Sequence, residues 1–252
     1  MSALFHPDSP DGRAALAAVL AGSPILGFDF DGTLAPIVDH PADARVPAAL
    51  AQRMVLLAKR WPVAVLTGRS LPDVAPRLGF APRHLVGQHG AQEAGQALHG
   101  IDASAVAALH CRLERHAAQL AAAGVELEDK GLSLALHYRR APDAALALSC
   151  IDTLLATLDP SLRRFGGHSV VNIAPARAPD KGAAMWSLVQ RCGATSAVYV
   201  GDDVNDEPVF ERAAPHWLTL RIGDEKVPSR ARWRLTTQDE VPGLVDAMLA
   251  LA

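Results

Sequence analysis

The sequence predicts an α/β fold: a parallel sheet that carries the chemistry, interrupted by a smaller inserted α+β domain. Three observations predict it. Residues 25–28, 63–66 and 197–200 are short, wholly apolar runs bounded by turn residues, the signature of strands buried on both faces. Each run stops on polar residues, and in open α/β sheets ligands bind outside the carboxyl ends of the strands. Between residues 98 and 172 the texture changes to Ala/Leu-rich helical stretches and one cleanly alternating strand.

In chain order, residues 11–22 read as an alanine-rich helix ended by Gly22-Ser23-Pro24, which feeds the first strand. After Thr33, Pro36 and Pro41 break the periodicity and give a loop over the strand end. Val46-Pro47 opens a helix with Val46, Leu50, Met54 and Leu57 at spacings of 4, 4 and 3, and Pro62 closes it. This βαβ alternation implies parallel strands. Gly87-Gln88-His89-Gly90, within residues 84–100, reads as irregular. One long helix is expected over 106–123. A strand follows in which Leu132, Leu134, Leu136 and Tyr138 alternate with Ser133, Ala135, His137 and Arg139, buried on one side only. A helix over 143–158 and a strand around 169–173 complete a unit of two helices on a small antiparallel sheet. The next helix begins at Asp180-Lys181-Gly182, with Asp180 as N-cap and Gly193 past its end. Short strands at 217–222 and 233–235 and a closing helix over 241–251 complete the chain. The domain reading is a core of residues 1–97 and 173–252, with residues 98–172 inserted.

Half of the 252 residues are apolar, enough for a substantial core. A formal charge of −3 and a pI near 6.3 give no global attraction to nucleic acid or anionic membrane. Cys111, Cys150 and Cys192 lie about 40 residues apart without C-x-x-C pairing, so neither a zinc knuckle nor a disulfide framework is indicated. No apolar run approaches the ~18–20 residues of a membrane span, and residues 1–13 lack a signal-peptide pattern. The expectation is a soluble cytoplasmic protein, monomeric by default, with no nucleic-acid or membrane partner.

The strand ends supply the candidate chemistry. Asp29 and Asp31 lie two apart in an extended run and point the same way just where the strand stops. Such carboxylates are costly unless a cation or proton compensates them, although an isolated D-x-D also starts turns. A calcium loop is excluded by spacing: its turn-glycine position holds Leu34 and its closing-glutamate position holds His40. Gly27 and Gly32 likewise lack the spacing of a nucleotide-binding glycine loop. Thr67-Gly68-Arg69-Ser70 offers a hydroxyl, a glycine amide and a guanidinium to a phosphate, or serves as a helix cap. Lys181 sits in a first helical turn, where the macrodipole disfavours a cation; an anion held there explains it, and so does a surface lysine. Asp202, Asp203, Asp206 and Glu207 fall within six positions behind a hydrophobic strand, which points to a cation or to a solvated loop. With carboxylates and no Cys/His set, the cation expected is Mg²⁺ rather than zinc.

D-x-D-G-T at 29–33, the strand end at Thr67, Lys181 and G-D-D-x-x-D at 201–206 resemble, in order and separation, the four motifs of the haloacid dehalogenase superfamily of phosphotransferases. The resemblance implies a Rossmann-like haloacid-dehalogenase core with an inserted cap, and Asp31 resembles the phosphatase type. From about residue 25 onward the chain further resembles the trehalose-6-phosphate phosphatases. That likeness rests on Gly87-Gln88-His89-Gly90, Glu128-Asp129-Lys130-Gly131, His137-Tyr138-Arg139 and the 201–207 segment.

This resemblance implies a Mg²⁺-dependent phosphatase that makes trehalose from its 6-phosphate. Asp29 would be the nucleophile that forms an aspartyl-phosphate, and Asp31 the acid and then the base. Mg²⁺ would be held by Asp29, the Asp31 carbonyl and Asp202, with Asp203 or Asn205 assisting. Thr67 and Lys181 would hold the phosphate. Gly68, Arg69 and His89 would bind substrate beside them, and Glu128, Lys130, His137, Arg139 and Asn172 would bind it from the cap. For His137, packing within the cap is the alternative. The chain departs from the family's pattern where a cap-strand Glu and a basic residue two positions later are replaced by Asn172 and Ala174, and where Asn205 replaces the usual Thr. Three rivals keep part of this reading: a phosphatase of another glycosyl phosphate such as glucosylglycerol phosphate, a phosphomutase, and a non-catalytic regulatory module.

Overall fold

The computed structural model describes residues 3–96 and 100–251. In chain order its elements are β1 (Ala3–Leu4), α1 (Pro10–Leu20), β2 (Pro24–Phe28), α2 (Ala48–Ala58), β3 (Val63–Leu66), α3 (Leu71–Val74), β4 (His84–Gly87), β5 (Gln92–Glu93), α4 (Ser104–Glu114), α5 (Ala117–Ala122), β6 (Glu126–Asp129), β7 (Leu134–His137), α6 (Ala144–Leu155), β8 (Leu162–Gly167), β9 (Val170–Pro175), α7 (Lys181–Arg191), β10 (Ser196–Gly201), α8 (Glu207–Arg212), β11 (Leu218–Ile222), β12 (Trp233–Leu235) and α9 (Val241–Ala250). They form two compact units, Met1–Gln96 with Pro179–Ala252, and Ala97–Ala178. The expected junction at 97/98 lies outside the described residues. The second junction follows Ala178 rather than residue 172, because β9 runs on to Pro175 within the sheet of the second unit.

In the first unit the sheet order is β1-β12-β11-β10-β2-β3-β4-β5, parallel throughout except for the β4–β5 pair. Alternate residues of the central strands feed opposite layers. Leu26, Phe28, Val63, Val65, Val198 and Val200 pack with α1, α2 and α9. Ile25, Ala64, Leu66, Ala197 and Tyr199 pack with Met185 and Leu188 of α7. Burying each large apolar side chain contributes about 1.5–3 kcal/mol, which is why the runs are apolar at every position. Because β2 lies between β10 and β3, the polar groups that follow all three emerge side by side at one edge.

Some local expectations change. α1 begins at Pro10, one turn-residue earlier than expected, because the Ser9 side chain accepts from Gly12 N at 3.0 Å and caps it. Residues 84–87 form β4, a four-residue strand not expected from the sequence, whose pairing with β3 supplies the regularity its sequence lacks; of the segment expected to be irregular only Gly87 joins it, and Gln88–Gly90 form a tight turn.

The second unit is a four-stranded antiparallel sheet, β6-β7-β9-β8, with α4, α5 and α6 supplying Leu109, Leu113, Leu120 and Ile151 to its core. The single helix expected over 106–123 breaks at Arg115–His116, where His116 N turns back to Leu113 O at 2.9 Å. Leu113 and Leu120 both stay buried across the break. The strand expected to be buried on one side only is buried on both, since Ser133 and Ala135 are covered as fully as Leu134 and Leu136. Ala135 sits in register between Glu128 and Asn172, whose longer side chains flank it. No helix among the described residues is long and apolar enough to cross a membrane.

Candidate active site

β2 delivers Asp29 at its carboxyl end, and α7 brings Lys181 to it, both almost fully buried. Lys181 Nζ donates to Asp29 Oδ1 at 2.7 Å and to Asp206 Oδ1 at 2.8 Å. Lys181 is therefore not a surface lysine: two carboxylates offset both its burial and the adverse helix dipole. Burial would depress its ammonium, but Asp206 and Asp29 outweigh burial and hold it above its ordinary value.

Asp206 has no role in the sequence reading beyond its place in the acidic motif, yet it organises this corner. Its Oδ1 also accepts from the Tyr199 hydroxyl at 2.7 Å. Its Oδ2 accepts from the backbone N–H of Asp202 at 3.1 Å and of Asp203 at 3.0 Å. A carboxylate has about four acceptor positions, and all of them are used. The available signal was spacing: a 3₁₀ turn over Val204–Asp206 folds position 206 back onto position 202.

Oxygens of Asp29, Asp202 and Asp206 converge within 4.8 Å of one another. With Asp206 saturated, a cation at this point would take Asp29 and Asp202. Asp202 Oδ1 is buried without a hydrogen-bond partner. Gly32, at φ +78°, lies so close that a Cβ there would sit 2.1 Å from Asp202 Oδ2. Burial, then the charges of Asp29 and Asp206, raise the Asp202 carboxyl well above the ordinary range. Burial likewise pushes Asp29 up to about 7, with Lys181 opposing it. Buried, mutually repelling oxygens short of a donor suit a hard divalent cation. The other expected ligands are tied into their own turn. Asp203 accepts from Val204 N at 2.7 Å and from Asn205 Nδ2 at 2.9 Å, while Asn205 Oδ1 is buried without a partner. Glu207 is diverted to Arg221, at 3.0 Å.

Arg69, read from sequence as a substrate ligand, is spent elsewhere. Its Nε and Nη2 donate to the two oxygens of Asp31, both at 2.8 Å. Nη1 donates to Asp73 at 2.7 Å, and Nη2 also reaches Pro41 O at 2.8 Å. The guanidinium lies over the Phe30 ring, 5.2 Å from its centroid, and Arg77 holds Asp73 from the other side. Four of five N–H donors are thus committed to protein groups.

The remaining core residues come together around Thr67, which is fully buried and whose hydroxyl oxygen accepts from Arg69 N at 3.1 Å. A side chain on Gly68 would put its Cβ 2.3 Å from the His89 ring. Gln88 and His89 both adopt left-handed φ, 54° and 57°, a strain concentrated at functional sites. Their amides bond Arg69 O and Thr67 O, both at 2.9 Å, so the 87–90 turn is fastened to the Thr67 turn. Gly90, at φ +112°, presses against Asp180 O at the start of α7.

In the second unit, Glu128, Ala135, Asn172 and Phe165 form one cross-strand row. Glu128 Oε2 lies 2.7 Å from His137 Nε2 and 3.6 Å from Lys130 Nζ, so three expected substrate residues form one cluster on the sheet. His137 here pairs with Glu128 rather than merely filling space. Asn172 joins the same row, buried, with its Nδ2 lacking a partner. Arg139 donates to His168 O at 3.3 Å.

A family model described as trehalose-phosphatase matches residues 27–238. The chain belongs to the trehalose-phosphatase family. The trehalose-phosphate phosphatase of Mycobacterium ulcerans is 32% identical over 219 residues, covering 82% of this chain and 56% of that protein. The trehalose-phosphate phosphatase of Mycolicibacterium paratuberculosis is 35% identical over 217 residues, covering 81% and 55%. The chain thus spans about half the length of the curated relatives it matches. Among solved structures, the C-terminal domain of Candida albicans trehalose-6-phosphate phosphatase superposes with a TM-score of 0.83 at 19% identity, covering 100% of this chain and 99% of that one. A haloacid dehalogenase-like hydrolase from Bacteroides thetaiotaomicron gives a TM-score of 0.66 at 14% identity, covering 91% and 99%. At these identities the structures speak for the fold, which is the haloacid-dehalogenase α/β core with an inserted α+β unit.

Proposed function

We propose that the chain is a Mg²⁺-dependent phosphatase of trehalose 6-phosphate that works through an aspartyl-phosphate on Asp29. One observation carries the reading: Asp29, gripped by buried Lys181 and faced by Asp202, stands at the ends of adjacent strands in a chain of this family. Lys181 holds Oδ1, which aims Oδ2 at phosphorus. Attack forms the Oδ2–P bond and breaks the P–O bond to the sugar. Asp31 gives its proton to the leaving sugar oxygen, then takes one from the water that hydrolyses the aspartyl-phosphate. Lys181 and the Thr67 hydroxyl neutralise the phosphoryl oxygens. Asp29, Asp202 and the Asp31 carbonyl would hold Mg²⁺, with Asp203 or Asn205 assisting; when bound, the ion supplies further positive charge at the phosphoryl oxygens. Gly68 and His89 shape the phosphate turn, and Glu128, Lys130, His137, Arg139 and Asn172 address the sugar hydroxyls. Arg69 occupies both Asp31 oxygens, so proton transfer to the sugar oxygen requires that grip to loosen. A cytoplasmic monomer belongs to the same reading.

Phosphate release with Mg²⁺ tests it, comparing trehalose 6-phosphate with glucose 6-phosphate, mannose 6-phosphate and glucosylglycerol phosphate. A preference of about 100-fold, equivalent to about 2.7 kcal/mol of transition-state binding, is expected for the trehalose ester. A flat profile moves the substrate to another glycosyl phosphate, and isomerised product in place of free phosphate makes the chain a mutase. Asp29→Asn is expected to remove nearly all turnover with the fold intact; substantial residual activity dismisses Asp29 as the nucleophile.

A further inference from the structure

The three cysteines play no part in the phosphatase reading, but one of them sits in a constellation of its own. Cys192 caps α7 at the end opposite Lys181, about 16 Å away along the helix axis. Its Sγ lies 3.3 Å from His84 Nε2. His84 begins β4, at the amino edge of the sheet, and its Nδ1 lies 2.9 Å from Glu93 Oε1. The other Glu93 oxygen pairs with Arg191. These side chains border a recess of about 500 Å³ that Arg83 also lines.

The order of contacts is nucleophile, base, orienting carboxylate. Glu93 engages Nδ1, which favours the tautomer with the proton there and turns the Nε2 lone pair toward sulfur. The C-terminus of α7 disfavours negative charge, so a thiolate here depends on His84 taking its proton and on the nearby guanidinium groups. Among the described residues no imidazole bonds Cys111 or Cys150, and Cys111 is the more exposed thiol.

We propose that Cys192 is a second reactive site, a thiol activated by His84 that forms mixed disulfides with small disulfides bearing carboxylates. His84 Nε2 accepts the thiol proton, and the thiolate attacks one sulfur of the reagent. A new S–S bond forms to Cys192 while the reagent's own S–S bond breaks, its electron pair leaving on the departing thiolate. Arg83 and Arg191 receive the carboxylate.

Dithiobis-nitrobenzoate, a dianionic aryl disulfide, is the probe, with dithiodipyridine as its neutral counterpart and peptide mass locating the labelled thiol. At pH 7 Cys192 is expected to react about 10-fold faster than Cys111 despite its lower exposure. His84→Gln should slow Cys192 about 10-fold and leave Cys111 unchanged, with an unaltered thermal melt reporting that the variant has folded. Arg83→Gln should slow the anionic reagent alone. Labelling of Cys111 first in the unmutated protein overturns the proposal whether or not a variant folds. An unchanged rate in folded His84→Gln overturns it too, and equal effects on both reagents in Arg83→Gln overturn the preference for anions.

Discussion

Arg69 grips Asp31 through two parallel hydrogen bonds of 2.8 Å, one to each carboxylate oxygen. Asp73, itself held by Arg77, fixes the far side of the same guanidinium. The acid–base residue of the proposed reaction is therefore positioned by a planar fork that lysine cannot reproduce.

Arg69→Lys should lower kcat toward the sugar phosphate about 10-fold or more, with a smaller change in KM. The discriminating substrate is an aryl phosphate, whose leaving group needs no proton. Steady-state kinetics should show it losing much less. Equal losses on both substrates would return Arg69 to the phosphate-binding role its sequence position suggested.

Asp206→Asn is expected to destabilise the protein by about 3–5 kcal/mol, because breaking a buried ionic network strands its partners. The amide offers one acceptor oxygen where the carboxylate uses two, so either Lys181 and Tyr199 or the Asp202 and Asp203 amides lose their partner. Denaturant unfolding measures the loss, and activity should fall with it because Lys181 is no longer pinned.

Without a divalent cation, stability should depend on pH in an unusual direction. Asp29 is raised to about 7 and Asp202 also stands above the ordinary carboxylate value near 3.9. Between about pH 4 and 7 the folded state thus binds more protons than the unfolded one, and the contribution of these groups falls as pH rises. Asp73, lowered by its arginines against the effect of burial, acts in the opposite sense but below that window. Thermal unfolding with and without Mg²⁺ should show a larger stabilisation by the ion at pH 8 than at pH 5. Ion binding should release protons at the lower pH.

Glu128→Ala should reduce turnover of trehalose 6-phosphate far more than that of an aryl phosphate, since it removes the acceptor shared by His137 and Lys130. Comparing kcat/KM for the two substrates checks this. A uniform loss would mean that the cluster stabilises the second unit instead of reading the sugar.

Much of the frame was legible because it is local. An apolar run followed by Asp, Thr or Gly-Asp-Asp states both a strand and what lies at its end, and β2, β3 and β10 follow that rule. The cap of α7 by Asp180 was readable for the same reason. β4 was hidden because it has four residues and only Val86 and Gly87 are fully buried. β8 was hidden because Arg163, Arg164, Gly166 and Gly167 hide its period, and only pairing with β9 makes it a strand. The diversion of Arg69 needs Asp31, 38 positions away, and the Pro41 carbonyl, neither of which its neighbours in sequence announce. The saturation of Asp206 likewise depends on where Lys181 and Tyr199 end up in three dimensions.

The placement of β2 between β3 and β10 also dictates when the centre can exist. Asp29 and the lysine that holds it are 152 residues apart, and the residues between them include an entire unit with its own core. As the chain emerges from a ribosome, β2 must wait at an open sheet edge while that unit is made. Only with β10 do Asp202 and Asp206 arrive, so a long-range pairing that is costly in loop entropy also brings in the last of these carboxylates. A half-made chain carries Asp29 without the lysine that holds it, and the proposed reaction requires that the sheet has first closed around its centre.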